Sequence, residues 1–102
     1  MAVQINEVME MVRDLLTDKL SGKKYNEFDG VDYEFKVTLE GSTVKVIAKA
    51  WGNEFVTDTI APSKSGLSLR WKGYEGACGN YKCADGVAEA VLGYWSDAGI
   101  VL

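Results

Sequence analysis

VDYEFKVTLE-GS-TVKVIAKAW, running from Val31 to Trp51, reads as two strands joined by a tight turn. Val31, Tyr33, Phe35, Val37 and Leu39 alternate with Asp32, Glu34, Lys36, Thr38 and Glu40, the period-two pattern of a strand with one dry face. Gly41-Ser42 fits a two-residue turn of the Gly-first kind, because glycine takes the positive φ of the first position without strain. Setting Glu40 opposite Thr43 then pairs Leu39 with Val44, Val37 with Val46, Phe35 with Ala48 and Tyr33 with Ala50, all on one face. A slip of one residue would set apolar side chains against charged ones, so turn chemistry and burial pattern demand the same register. The other face carries Glu34 opposite Lys49, Lys36 beside Ile47, and Asp32 near Trp51.

Upstream of this hairpin, Asn6 is placed to cap a helix, and Glu7 follows where the positive pole of the helix dipole favours an acid. Val8, Val12, Leu15 and Leu16, flanked by Met9 and Leu20, form one apolar stripe. Ser21-Gly22 ends the helix near Leu20, with Lys19, Lys23 and Lys24 at its negative pole. Downstream, Gly52-Asn53 begins a turn and Phe55 to Ala61 reads as a third strand, although its alternation is poor and fixes no register. Pro62 to Gly66 is a loop, Leu67 to Lys72 a fourth strand, and Glu75 to Lys82 an irregular loop with Gly76, Gly79 and Asn80 as breakers. A second helix opens at Asp85 as candidate N-cap, with Ala84, Val87, Ala88, Val91, Leu92 and Trp95 as its apolar stripe. Ile100 to Leu102 is an apolar tail expected to pack back. The expected fold is therefore a single α+β domain over residues 1–102, in the order α-β-β-β-β-α, with both helices on one face of an antiparallel sheet.

The composition suits such a domain: 102 residues, 47% hydrophobic, 25% charged, enough for one modest core without disulfide or metal support. Fifteen acidic against eleven basic residues give a net charge of -4, which works against broad capture of nucleic acid or anionic membrane. Glu7, Glu10, Arg13 and Asp14 interrupt the Met1 to Leu16 segment, so it lacks the form of a secretory leader. No apolar run approaches the roughly 20 residues that cross a bilayer. A cytoplasmic location without membrane contact is the expectation.

Histidine is absent from the chain, which removes the commonest general base and the usual catalytic triads. No phosphate-cradling glycine motif is present; Gly73, Gly76 and Gly79 lack the following Lys-Ser. Cys78 and Cys83 are too few for a structural zinc site, and the plain reading is two semi-buried thiols at a loop end. No cofactor, no metal and no enzymatic activity are expected.

Two surfaces compete as binding sites. Glu7, Glu10, Asp14 and Asp18 line up opposite the apolar stripe of the first helix, either as a solvated face or as a surface for a basic partner protein. Tyr74 and Tyr81 beside the cysteine loop are further candidate contacts, whereas Trp95 continues the helix stripe and belongs to the core. The rival is the outer sheet face, where Lys36, Lys45, Lys49, Arg70 and Lys72 with Trp51 offer cations and a stacking ring for nucleic acid.

In size, acidity and element order the chain resembles the small accessory proteins of phages, including anti-CRISPR proteins, which implies binding and inhibition of a protein partner. That resemblance is one of general character and transfers no residue. The helix–sheet–helix order is also loosely similar to double-stranded RNA-binding domains, although Asp85 to Tyr94 contains none of the lysines that open the second helix of that family. A non-enzymatic protein-binding module is the expected function, with nucleic-acid binding through the outer sheet face as the alternative.

Overall fold

Six strands in strict sequence order form one antiparallel meander, with a helix at either end of the chain. The computed structural model describes residues 5–102: helix α1 (Ile5–Leu20), β1 (Gly22–Asn26), β2 (Val31–Glu40), β3 (Thr43–Ala50), β4 (Asn53–Pro62), β5 (Leu69–Lys72), β6 (Cys78–Tyr81) and helix α2 (Ala84–Asp97). Residues 1–4, part of the segment read for a leader, lie outside the described residues. The fold is α+β, as the patterning predicts, with helices packed on the sheet and on each other.

The β2–β3 register is the expected one, running from Glu40↔Thr43 through Leu39↔Val44, Val37↔Val46 and Phe35↔Ala48 to Glu34↔Lys49. The ladder stops there, one pair short of Tyr33 and Ala50. Inward side chains from the sheet, among them Phe35, Val44, Val46, Ala48, Ile60 and Trp71, meet Met9, Val12, Leu16 and Leu20 of α1 and Val87, Val91 and Trp95 of α2 in one core. These helix residues recur at three- and four-residue spacing, so each helix turns a single stripe to the sheet.

Four strands are expected and six are present; the two extra are the edges. β1 (GKKYN) has Asn26 as its one buried residue, and β6 (CGNY) has none. Edge strands lack a second neighbour and are kept short, charged or small, so neither shows the alternation that marks a half-buried strand. β1 does gain company on its free side: Asn26 forms a bridge with Ile100, and Val101 N donates to Tyr25 O at 2.9 Å. Ile100 is thereby buried, as the apolar tail predicts, while Val101 and Leu102 stay half open.

The poor alternation of the third strand has a structural cause. Between β3 and β4 the pairing shifts from Val46↔Asp58 to Ile47↔Val56, which leaves Thr57 as the extra residue of a β-bulge. The bulge resets the phase of the strand, so the neighbours Thr57 and Asp58 are both buried and Val56 faces out.

Helix caps also depart from expectation. Asn6 lies inside α1 and is not its N-cap, and its Oδ1 lies 3.4 Å from Ser42 Oγ. α2 is capped by Cys83, whose Sγ accepts from Gly86 N at 3.4 Å, and Asp85 sits in the first turn. Both Cys83 and Cys78 are free and exposed, not semi-buried. No described helix is long and apolar enough to cross a membrane.

Candidate functional site

In a meander, alternate turns gather at the same end of the sheet. The β1–β2, β3–β4 and β5–β6 connections therefore meet, and they do so beside the C-terminal end of α2. Between them lies an open cleft of about 380 Å³. Its walls are Tyr33 from β2, Trp51 from the β3–β4 turn, Tyr74 from the β5–β6 loop, and Tyr94 and Trp95 from α2, with Phe28, Asp29 and Glu75 at the mouth.

Each connection is shaped to deliver its residue. Asn26 is buried and anchors the first loop: its Oδ1 accepts from Phe28 N (2.9 Å) and Asp29 N (3.3 Å), while its Nδ2 donates to Ala98 O (3.2 Å) of the helix end. Asp29 is oriented in turn, accepting Val31 N at Oδ1 and the Tyr33 hydroxyl at Oδ2, both at 2.9 Å. Ala50↔Asn53 closes a two-residue turn of Trp51 and Gly52, with φ of 52° and 76°. Positive φ at both positions is the type I′ pattern, in which Asn or Gly normally stands first. The turn thus falls one residue earlier than Gly52-Asn53. In the β5–β6 loop Glu75 adopts φ 55°, ψ 34°, again left-handed.

Trp51 and Glu75 are the two non-glycine residues at positive φ among those described, and both border this cleft. Such a backbone costs a bulky residue on the order of 1 kcal/mol or more, and strain of this kind gathers at functional sites.

The rings form a continuous edge-and-face set centred on Trp95. Tyr33 meets Trp51 at 5.1 Å and 73°, Tyr94 meets Trp95 at 5.4 Å and 85°, and Tyr74 stacks on Trp95 at 5.8 Å and 26°. Behind the floor lies Asp58, 1% exposed, a carboxylate in the core. Its Oδ1 accepts from the Trp71 indole N–H at 2.8 Å; its Oδ2 accepts from Trp95 Nε1 at 3.0 Å and Thr57 Oγ1 at 2.7 Å. Burial drives the Asp58 carboxyl above its ordinary 3.8, and the three donors pull it partway back. Asp58 faces inward in step with Ile60, and the bulge turns its neighbour Thr57 inward beside it.

The charged side chains that line the cleft, Asp29 and Glu75, are both acidic. Burial, reinforced by the bond to Asp29 and its charge, pushes the Tyr33 hydroxyl far above its ordinary 10. Burial, with Glu75 and Asp58 adding to it, raises the Tyr94 hydroxyl as well. The last turn of α2 carries Asp97 and no basic residue, so the negative pole of the helix is uncompensated on its own element.

The residues singled out by sequence are distributed differently. Tyr74 lies in the cleft. Tyr81 does not; its ring packs beside Trp71 at 6.5 Å. Trp51, expected at the end of the outer sheet face, turns its ring onto Tyr33 instead. On the outer face the register sets Lys23, Glu34, Lys49 and Glu54 side by side across four strands, a row of alternating charge. Lys45 is paired with Glu40 at 3.4 Å and Lys36 stands opposite Ile47, while Arg70 and Lys72 are exposed further along on β5. Cations and stacking ring are therefore on different sides of the sheet.

Glu7, Glu10, Asp14 and Asp18 are all exposed on α1, with Arg13 Nε 3.0 Å from Asp14 and Lys19 Nζ 3.9 Å from Asp18. Asp85 and Glu89 of α2 border the same surface across Leu15, Ala88 and Leu92. Among the described residues no group of three or more His, Cys, Asp or Glu is arranged to hold a metal.

Five cleft residues carried no signal as a group: Asp29, Tyr33, Trp51, Glu75 and Tyr94 are scattered over 66 positions, from 29 to 94, and only the meander unites them. An X-Gly pair after a strong strand, Trp51-Gly52, was the local cue available for the turn. Compared with protein-family models, curated proteins and solved structures, the chain matches none.

Proposed function

We propose that this protein is a non-catalytic module that binds a protein partner through the aromatic cleft, and that it acts by occupying that partner. The observation that supports the reading is a preformed cleft in which exposed Trp51 and half-buried Tyr74 and Tyr94 stand over a floor of buried Tyr33 and Trp95, bordered by the two left-handed non-glycine residues among those described. Rigid aromatic anchors in a concave site are what protein contacts use for most of their affinity. The groups that converge are π faces and carboxylates; a chain without histidine offers no imidazole to work with them. The acidic face of α1, with Glu7, Glu10, Asp14 and Asp18, adds long-range attraction for a basic partner.

Affinity capture from the natural host, with nuclease added, tests this reading with three proteins. The wild type should retain a defined partner; Trp51→Ala with Tyr74→Ala should lose it. Glu7→Lys with Glu10→Lys should slow association and weaken its salt dependence without abolishing capture. Oligonucleotide binding that falls steeply with salt and disappears on Lys36→Glu with Lys49→Glu would replace the reading with the nucleic-acid one.

A further inference from the structure

We infer that the aromatic cleft is a receptor for a quaternary ammonium group, presented by the partner as a trimethylated lysine side chain. The inference rests on the proposed use of the cleft for partner binding and names the chemistry it selects.

Three properties of the site lead there. First, three ring pairs meet at steep angles, Tyr33 at 73° to Trp51 and 61° to Trp95, and Tyr94 at 85° to Trp95, while Tyr74 lies on Trp95 at 26° and 5.8 Å, too close for a planar group to enter between them. Such walls make a box of π faces and edges suited to a rounded cation, whereas a planar guanidinium prefers two parallel faces. Second, the field is negative from several independent sources, namely Asp29, Glu75 and the C-terminal pole of α2. The Trp95 indole adds to this, because an N–H donating to the Asp58 carboxyl at 3.0 Å polarises the ring toward greater π density.

Third, the acids stand at the rim and the walls are rings. Each oxygen of Asp29 accepts one hydrogen bond from the protein, from Val31 N and Tyr33 Oη, and Glu75 is exposed at the mouth, so the charge lies at the edge of the cleft. Between the rings an unmodified ammonium, strongly hydrated and carrying three donors, would give up water bonds that π faces do not replace. A trimethylated nitrogen has no N–H to satisfy. It needs π faces and diffuse negative potential, and those are what the cleft provides.

The test is titration of the whole protein, followed by the indole N–H resonances of Trp51 and Trp95, with the backbone amides of the β2–β3 turn at the opposite end of the sheet as an internal control. Choline is compared with its neutral isostere 3,3-dimethyl-1-butanol, and a trimethyllysine peptide with the same peptide unmodified. Choline should bind about tenfold more tightly than the isostere, and the trimethylated peptide about tenfold more tightly than the unmodified one. Trp51→Ala should weaken choline at least tenfold. Glu75→Gln should weaken choline about threefold and leave the isostere unchanged, which separates charge from shape.

Equal binding of choline and isostere overturns the inference, as does equal binding of the two peptides. If those pairs are equal while partner capture still depends on Trp51 and Tyr74, the ammonium assignment fails and the cleft reading survives. If choline binds better than its isostere but also better than the peptide, the ligand is a small molecule and the protein source is wrong.

Discussion

At one end of the sheet Gly41 supplies the positive φ of the β2–β3 turn, at 63°; at the other, Trp51 and Glu75 hold nearly the same angle, at 52° and 55°, with side chains that resist it. The far end, with the β2–β3 turn and the β4–β5 loop, is relaxed and holds a hollow of about 100 Å³ lined in part by Val8, Leu67 and Lys82. The cleft end is strained, aromatic and negative. Both ends are made of short connections in one meander, so topology alone does not explain the contrast. Glycine takes positive φ at both ends, Gly30, Gly52 and Gly76 at the cleft among them, but among the described residues only the cleft end also forces it on larger side chains, and strain of that kind gathers at functional sites.

The largest effect should come from removing the carboxyl beneath the cleft. Asp58→Ala leaves two buried indole N–H groups without acceptors and should cost about 3 kcal/mol or more in urea denaturation. The tertiary signal of Trp95 should loosen with it.

Asp58→Asn keeps the shape and removes the titration, and so sharpens the same point through pH. Because the folded carboxyl is held above its ordinary 3.8, it binds its proton more tightly than the unfolded chain does. Its stabilising contribution is fully present below about pH 3.8 and is lost as pH rises through the folded value. Relative to Asp58→Asn, the wild type should therefore lose stability on going from strongly acid toward neutral pH. A difference that stays flat would show that the three donors cancel burial, and one that slopes the other way that they outweigh it.

A matched pair of turn variants tests the comparison of ends directly. Gly41→Ala should destabilise by about 1 kcal/mol, since alanine takes on the left-handed cost that glycine avoids. Glu75→Gly should be neutral or stabilising by up to about 1 kcal/mol while weakening binding at the cleft. Destabilisation in both would mean that the Glu75 side chain contributes to the fold. The smallest effect belongs to the far end: Leu67→Ser, at a side chain 80% exposed, should change stability by no more than about 0.5 kcal/mol and leave binding untouched.

What could be read from sequence divides along the same line as burial. The β2–β3 register was legible because Gly41-Ser42 and the alternation from Val31 to Glu40 each fix it independently. β1 and β6 were not, because Lys23, Lys24, Gly79 and Asn80 are chosen for an edge and leave no apolar rhythm. The bulge at Thr57 erased the alternation of β4 and with it any sign that Asp58 is a core residue. Tyr74 stood out as a candidate contact from its residue type and its place beside the cysteine loop. Its companions in the cleft come from separate turns and from α2, and a periodicity argument cannot assemble what no single element contains.

The strictly sequential strand order also sets a timetable. Each sheet pairing joins segments adjacent in the chain, so the meander closes through short loops and forms early. The bond from Asn26 to Ala98, by contrast, spans 72 residues and ties the first strand to the end of the last helix. Closing that span is the slow, entropically costly move, and the cleft exists only after it. The amides of Glu27 and Val101, whose bonds complete the closure, should exchange with solvent through a partial opening that leaves the β2–β3–β4 ladder protected. A site assembled last in folding is the first to come apart, and a ligand bound there would act as the latch.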